Sequence, residues 1–484
     1  MLMASPDYDI DNPQSIEAYA KKLINHSFRF VANLPCPFPD PKGGKGNLGV
    51  LIEEHYFQYR ANSDQRPDLG EVELKTTPYE IKKNGEKRAG ERLVLTMIDY
   101  GAPVEYDFYK THLWEKCRLL LLIIYLRDKN ADENLDYIIK FVKLFTPPDA
   151  DIEIILEDYR FIIERMAEGL AHELSESQTK YLGACTKGTT AASSWVTQYY
   201  PHNGVRHQAK KRAFCFKQPY MTYVLNHYID GIPDEDESIY KNVAELECDS
   251  FEAGIEKRIS RFVFKKDKQI AHDLGINTQA KNFWSMLAFG MLGVKTNNAS
   301  EFVKAGVVVK TIRIEENGRI KENMSFPALS LKRLAVDEWE DSEIYEQFGR
   351  TMYLFVVYRR HGDGYELKGC EFWCMSHSDL EGAVRNGWEK IRSVLRKGVV
   401  LSRTGMLSRA GNPVISNNLP GEADNPIIHL RPHEASVYYK LKDGTEFGDP
   451  AKGDELPSGE WMTRQSVWLH RNYVLAQLRE DLKN

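Results

Sequence analysis

The stretch Pro67-Asp68-Leu69-Gly70-Glu71-Val72-Glu73-Leu74-Lys75 decides the reading of this chain. Val72 to Lys75 has strand character, and residues two apart on a strand share a face, so Glu73 and Lys75 project together while Val72 and Leu74 point into a core. Asp68 sits on the segment leading in. Two neighbouring carboxylates repel unless a divalent cation offsets them, and such a cation can acidify water and stabilise the charge growing on a phosphate. Lys75 is then placed to orient or deprotonate that water. The competing reading is that acidic and basic residues simply alternate on the wet face of a strand, since Asp-x4-Glu-x-Lys alone arises by chance in many chains of this length.

Composition sets limits without choosing between these. A chain of 484 residues is too long for one compact core, so two or three domains are expected. A hydrophobic share of 42% and a charged share of 28% are ordinary for a soluble globular protein. The longest apolar run, Leu119 to Leu126, falls far short of a membrane span and reads as a buried strand. Met1 to Asp11 carries acidic residues with no basic residue and no apolar core, unlike a secretory or mitochondrial leader. Seven cysteines without a Cys-x-x-Cys pair point to reduced thiols and a cytoplasmic setting. A net charge of −6 is mildly unfavourable for approaching a polyanion, so phosphate contacts would come from local clusters.

Periodicity organises the first half. Helices are expected from Ser15 to Ile24, from Asn47 to Phe57 with Glu53 on one side, and from Asp151 to Leu174,. Val72–Tyr79, Arg92–Ile98 and Leu119–Leu126 are the best strand candidates, with Asn84-Gly85 as the turn between the first two,. The acidic, Gly- and Pro-broken segment Asp230 to Ser238 is the expected linker between domains.

The segment Lys45-Gly46-Asn47-Leu48-Gly49-Val50-Leu51-Ile52-Glu53, followed by Val72-Glu73-Leu74-Lys75-Thr76, resembles the MutH family of DNA endonucleases, where a helix carrying one Glu precedes the strand carrying an Asp, Glu-x-Lys cluster. The likeness continues through Gly90 to Leu95, Lys116, Tyr181 to Lys187 and Phe214 to Tyr220. Length and a repeat described next favour the two-domain branch, type II restriction endonucleases of the Sau type that cut GATC. The resemblance implies the PD-(D/E)xK nuclease fold, Mg2+ as cofactor and duplex DNA as substrate. It makes Asp68 and Glu73 metal ligands, Lys75 the lysine of the cluster, and Glu53 and Lys116 accessory members, Glu53 also near the metal.

An internal repeat spans the expected linker. Asn47 falls on Asn282 and Val72–Thr76 (VELKT) on Val307–Thr311 (VVVKT) at one constant offset, and Leu119–Tyr125 answers to Met352–Tyr358. Lys217-Gln218 is matched with Arg464-Gln465. Two copies of one domain follow, rather than a solenoid. The second copy lacks the chemistry: Glu53 falls on Ala288, Asp68 on Val303 and Glu73 on Val308, and only Lys75 survives, as Lys310. Without carboxylates a divalent cation has no ligands, so this copy should be catalytically silent.

Candidate DNA contacts come from charge and from the resemblance. Arg206, His207, Lys210, Lys211, Arg212 and Lys217 cluster around Phe214 and Phe216, either as a solvated surface or as a DNA-lining patch. Lys45 and Lys187 join them by resemblance. In the second copy Ile428-His429-Leu430-Arg431-Pro432-His433 matches the family's base-reading loop better than Cys185-Thr186-Lys187 does, and Arg431, His433 and Arg464 are expected to face DNA. The polar stretches Ser408–Pro426 and Asp443–Gly459 read as loops. Gly43-Gly44-Lys45-Gly46 lacks the phosphate-loop pattern, and no Gly-x-Ser-x-Gly or His-Glu-x-x-His is present,.

The expectation is an α/β protein of two tandem MutH-like domains: a catalytic domain over 1–229, a linker over 230–238, and a silent DNA-binding, regulatory domain over 239–484. The function expected is that of a type II restriction endonuclease hydrolysing duplex DNA at GATC with Mg2+. The alternatives are a non-cleaving DNA-binding protein and a strand-nicking mismatch-repair endonuclease. Expected partners are duplex DNA and a cognate DNA methyltransferase, with dimerisation on DNA left open and no membrane.

Overall fold

The computed structural model describes residues 7–38, 47–61, 66–82, 84–187, 194–241, 250–295, 298–408 and 411–484. Lys45 lies outside them. The apolar run forms the strand Leu120–Leu126, and Leu120 to Ile124 are all buried. Burial on both faces is what turns a strand into a continuous hydrophobic run instead of an alternating one. It pairs in parallel with Glu73–Ile81 and antiparallel with Ile138–Phe145. Val72, Leu74, Leu121, Ile123 and Tyr125 share a core with Ile16, Phe28, Leu51 and Ile52 from the flanking helices.

Several local expectations shift. The first helix is Pro13–Ala20, begun by proline in its first turn and capped by the Asn12 side chain, and it does not run to Ile24,. The Asn84-Gly85 turn leads to the short strand Lys87–Ala89, antiparallel to Glu73–Ile81. The chain leaves that sheet at Gly90, whose N–H donates to the Pro78 carbonyl (2.8 Å). Leu93–Met97 then enters a second sheet, with Arg212–Phe216 at its centre and Leu182–Thr186 on the far side. The strand Ile138–Phe145 was not expected. The long helix is Asp149–Ala167, shorter than expected, and Gly169 follows it at φ 74°.

Two compact units emerge, Met1–Gly254 with Val294–Val307, and Ile255–Gly293 with Val308–Asn484. These bounds differ from 1–229 and 239–484 for a specific reason. The acidic segment is tied into the first unit: Tyr223 Oη and Ser300 Oγ (2.8 Å) donate to the Asp234 carboxylate, and the backbone N–H groups of Ile239 and Tyr240 donate to Glu301.

Taken by itself, the second unit repeats the strand order of the first. Val307–Ile314, Met352–His361 and Gly364–Trp373 form one sheet in the order of Glu73–Ile81, Leu120–Leu126 and Ile138–Phe145. Met324–Ala328, Gln465–Leu469 and Ile428–Pro432 form the other. Ladder register corrects one pairing of the repeat. Leu182 faces Phe216 and Ile428 faces Leu469 at matching ladder ends, so Lys217 corresponds to His470 and Lys211 to Arg464. The polar stretches are not plain loops: Ser402–Leu407 pairs with Pro413–Ser416, and Tyr438–Lys440, Glu446–Gly448, Gly453–Glu455 and Trp461–Thr463 make a small sheet. No helix among the described residues is long and apolar enough to cross a membrane.

Candidate active site

Gly70 creates the site's entry turn. Leu69 and Val72 exchange both backbone hydrogen bonds at 2.9 Å, so Gly70 and Glu71 make a two-residue turn. Gly70 has φ 63°, and a Cβ there would lie 2.6 Å from the Ile10 carbonyl oxygen; only glycine fits. The turn brings Asp68 back over the strand start, where Leu74 N–H donates to its Oδ2 (3.2 Å). Glu73, the first residue of the strand, is almost wholly buried (1% exposed).

Glu73 is held by two ammonium groups. Lys75 Nζ donates to Oε1 at 2.6 Å, and Lys116 Nζ reaches Oε1 and Oε2 at 3.1 and 3.2 Å. Lys116 arrives there because its helix, His112–Cys117, capped by Thr111, immediately precedes the strand whose Leu120 is paired with Glu73. Glu53 comes from the π-helical turn Ile52–Tyr56, a distortion that recurs at functional sites. Its neighbour Glu54 turns inward toward Arg60 (3.5 Å).

Burial first, and then mutual repulsion, set the charge state of the remaining carboxylates. Burial raises the Asp68 carboxyl to about 6, with the Glu73 charge adding to it and Lys75, Lys116 and the Leu74 N–H opposing. Burial likewise raises Glu53 to about 7, reinforced by Asp68 and Glu73. All five residues expected from the sequence therefore sit within one electrostatic neighbourhood. Among the described residues, no three carboxylate, imidazole or thiol groups converge into a ready-made metal cage. The donor set nonetheless suits a hard cation. Magnesium characteristically takes one or two carboxylates, with waters and substrate phosphates completing its shell, and a cation would offset the repulsion between these half-buried carboxylates.

The expected DNA contacts divide. Lys187 is exposed, its backbone N–H bonded to the Lys211 carbonyl (2.8 Å); Lys211 is partly exposed, as is Lys210, which ends the short strand Gln208–Lys210 paired with Trp195–Thr197. Arg212 and Lys217 are corrections. Arg212 is buried and donates to the Ala184 carbonyl (2.8 Å), and Lys217 is buried and donates to the Thr179 carbonyl (2.6 Å). Moving either onto a phosphate would break a buried charge-assisted hydrogen bond, so both act inside the fold.

In the second unit, Ala288 and Val308 replace carboxylates, and Lys310 donates to the Ser325 carbonyl (2.7 Å). Arg431 pairs with Glu422 and lies over the Trp468 ring (5.5 Å). His433 is exposed, and its N–H donates to the Arg464 carbonyl (2.8 Å); Arg464 itself pairs with Glu434 (2.6 Å). Lys321, Asn323, Trp468 and Arg471 gather around Arg431 in an open pocket of about 360 Å³. Sequence reading missed them, because they come from separate segments with no shared spacing.

A family model described as the DNA mismatch repair enzyme MutH matches residues 57–158, which hold Asp68, Glu73, Lys75 and Lys116. The chain is also 32% identical over 467 residues to the Type II restriction enzyme Sau3AI of Staphylococcus aureus, across 91% of this chain and 94% of that enzyme. With the α/β architecture and the clustered carboxylates and lysines, these likenesses establish that the chain belongs to the MutH family of DNA endonucleases, in its two-domain type II restriction enzyme branch.

Proposed function

We propose that this restriction endonuclease hydrolyses both strands of duplex DNA at GATC with magnesium, the first unit cutting and the second binding another copy of the site. The observation that carries the reading is Glu73 gripped by Lys75 and Lys116 beside Asp68 and Glu53, against Ala288 and Val308 at the matching positions of the second unit. Asp68 and Glu73 would hold the cation, with Glu53 accessory. When bound, the cation supplies Lewis-acid stabilisation of charge on the phosphate.

The chain's own residues do the rest. Lys116 orients Glu73 from the buried side. Lys75, the more exposed of the two ammoniums, positions or deprotonates the attacking water and donates toward phosphate oxygens. Lys187, Lys210 and Lys211 give the first unit phosphate contacts, and Arg431 and His433 give the second unit its base-facing edge, Arg464 supporting that edge through Glu434. The resemblance to GATC-cutting enzymes supports the recognition sequence and a cognate methyltransferase as partner, and the cysteine usage supports a cytoplasmic setting. Purified chain incubated with plasmid and magnesium, followed by sequencing of the ends, tests this. Double-strand breaks at GATC are expected; nicks alone would favour the mismatch-repair alternative, and binding without cutting the non-cleaving one.

A further inference from the structure

The structure assigns to the second unit a metal-independent grip on a DNA backbone phosphate, in an open pocket of about 340 Å³ built around Lys310. This rests on the reading of the second unit as a DNA-binding half and adds where and how it holds the strand. Arg313, Lys321, Ser325, Arg360 and Tyr365 line the pocket with Lys310. Glu315 is already engaged, by Arg360 at 3.6 Å and by Tyr365 Oη at 2.9 Å. Beyond that pair, the charged residues of the lining are Lys310, Arg313 and Lys321 against Glu322.

Lys310 is the centre of this excess. In the first unit Lys75 is neutralised by Glu73 at 2.6 Å; here Val308 stands at the position of Glu73, and Lys310 meets the Ser325 carbonyl and the face of Phe326 (4.7 Å). Lys310 is half-buried, and burial alone lowers its ammonium to about 8, with no carboxylate among the causes. An ammonium drawn out of bulk water without a counter-charge is unfavourable, and it keeps two further donors for an incoming oxygen. Arg313 is braced across Trp284 and Tyr365 at 5.3 and 5.9 Å, which presents a planar donor with little rotamer freedom left to lose.

Continuity identifies the anion. Lys321, Glu322 and Asn323 line both this pocket and the opening that contains Arg431, so a strand whose bases lie at Arg431 has its backbone within the same surface. Loss of the carboxylates removes any need for a cation between protein and phosphate. The silent copy thus reuses the surviving lysine as an anion contact.

The test uses the full chain in chelator. Lys310, with its lowered ammonium, is acylated by a limiting amine-reactive ester, and the modification is read by peptide mass spectrometry with and without a GATC duplex. Several-fold protection of Lys310 by duplex, and not by the same phosphorus concentration of inorganic phosphate, is expected. Equal protection by inorganic phosphate would make this a small-anion site and overturn the DNA assignment. Lys452, whose ammonium shares Glu434 with Arg464, reports on the second unit generally. Protection of Lys452 with Lys310 reacting at its free rate sinks the pocket and spares the DNA-binding reading; protection of Lys187 alone sinks both. Independently, Lys310→Met should flatten the salt dependence of duplex affinity in chelator by about one unit of log–log slope; an unchanged slope would also overturn the proposal.

Discussion

Asp68→Asn should make the metal-free protein more stable at pH 8 while abolishing cleavage. The Asp68 carboxyl is raised from an ordinary 3.8 to about 6, so the folded state holds its proton more tightly than the unfolded chain does. A raised carboxyl contributes its full stability below pH 3.8 and loses it as pH rises through about 6. Above that, the charge works against the fold. Two pKa units correspond to roughly 3 kcal/mol, reduced to about 2 kcal/mol for a group that keeps some contact with solvent. Asparagine removes the charge and retains an oxygen to accept from Leu74 N–H. For a unit of this size, about 2 kcal/mol is worth roughly 4 °C in melting temperature. Melting of wild type and variant in chelator at pH 4, 6 and 8 measures it, taking the transition reported by first-unit tryptophans. The gap should be near zero at pH 4 and largest at pH 8. A variant less stable at pH 8, or a gap independent of pH, would refute the idea that repulsion and burial are stored at this site for a cation to relieve.

If Asp68 and Glu53 hold the magnesium, their proton uptake near pH 6 and 7 should raise the magnesium concentration for half-maximal cleavage as pH falls from 8 to 6, and a flat requirement would contradict this. Neutralising Lys187, Lys210 and Lys211 together should weaken binding to any duplex alike and lower the salt slope by about one unit for each lysine that binds a phosphate. Arg212→Met and Lys217→Met should instead lower thermal stability by about 1–3 kcal/mol each through the orphaned Ala184 and Thr179 carbonyls, checked by denaturant midpoints; unchanged midpoints would return these residues to the DNA surface. Arg431→Ala should reduce the faster cutting of two-site over one-site plasmids more than it reduces one-site cutting, since coupling between sites is typically ~1–3 kcal/mol; equal effects on both substrates would count against a regulatory second unit.

The grouping of Asp68, Glu73 and Lys75 was legible because its geometry is local. Glu73 and Lys75 are fixed by strand alternation, and Asp68 by a turn that Gly70 announces. The repeat was legible at its helix and strand starts, where Asn47 and Asn282 both begin helices. It failed near the C-terminus, because two basic-then-Gln pairs aligned by identity lie out of register by ladder position. Charge direction was not legible either. Arg212–Phe216 is the centre of its sheet and buried throughout, so an arginine there is satisfied by a carbonyl no spacing rule reveals. The acidic segment read as a linker from composition, yet its partners Ser300 and Glu301 lie some sixty positions away. Long-range hydrogen bonds leave no trace in local composition.

The most direct measurement compares wild type with Glu73→Ala on one GATC duplex, taking equilibrium binding and single-turnover cleavage in magnesium from the same preparations. Binding within a few-fold of wild type with no detectable cleavage is the result predicted for a carboxylate that holds the catalytic centre in the first unit. Cleavage by Glu73→Ala at a rate comparable to wild type would contradict it.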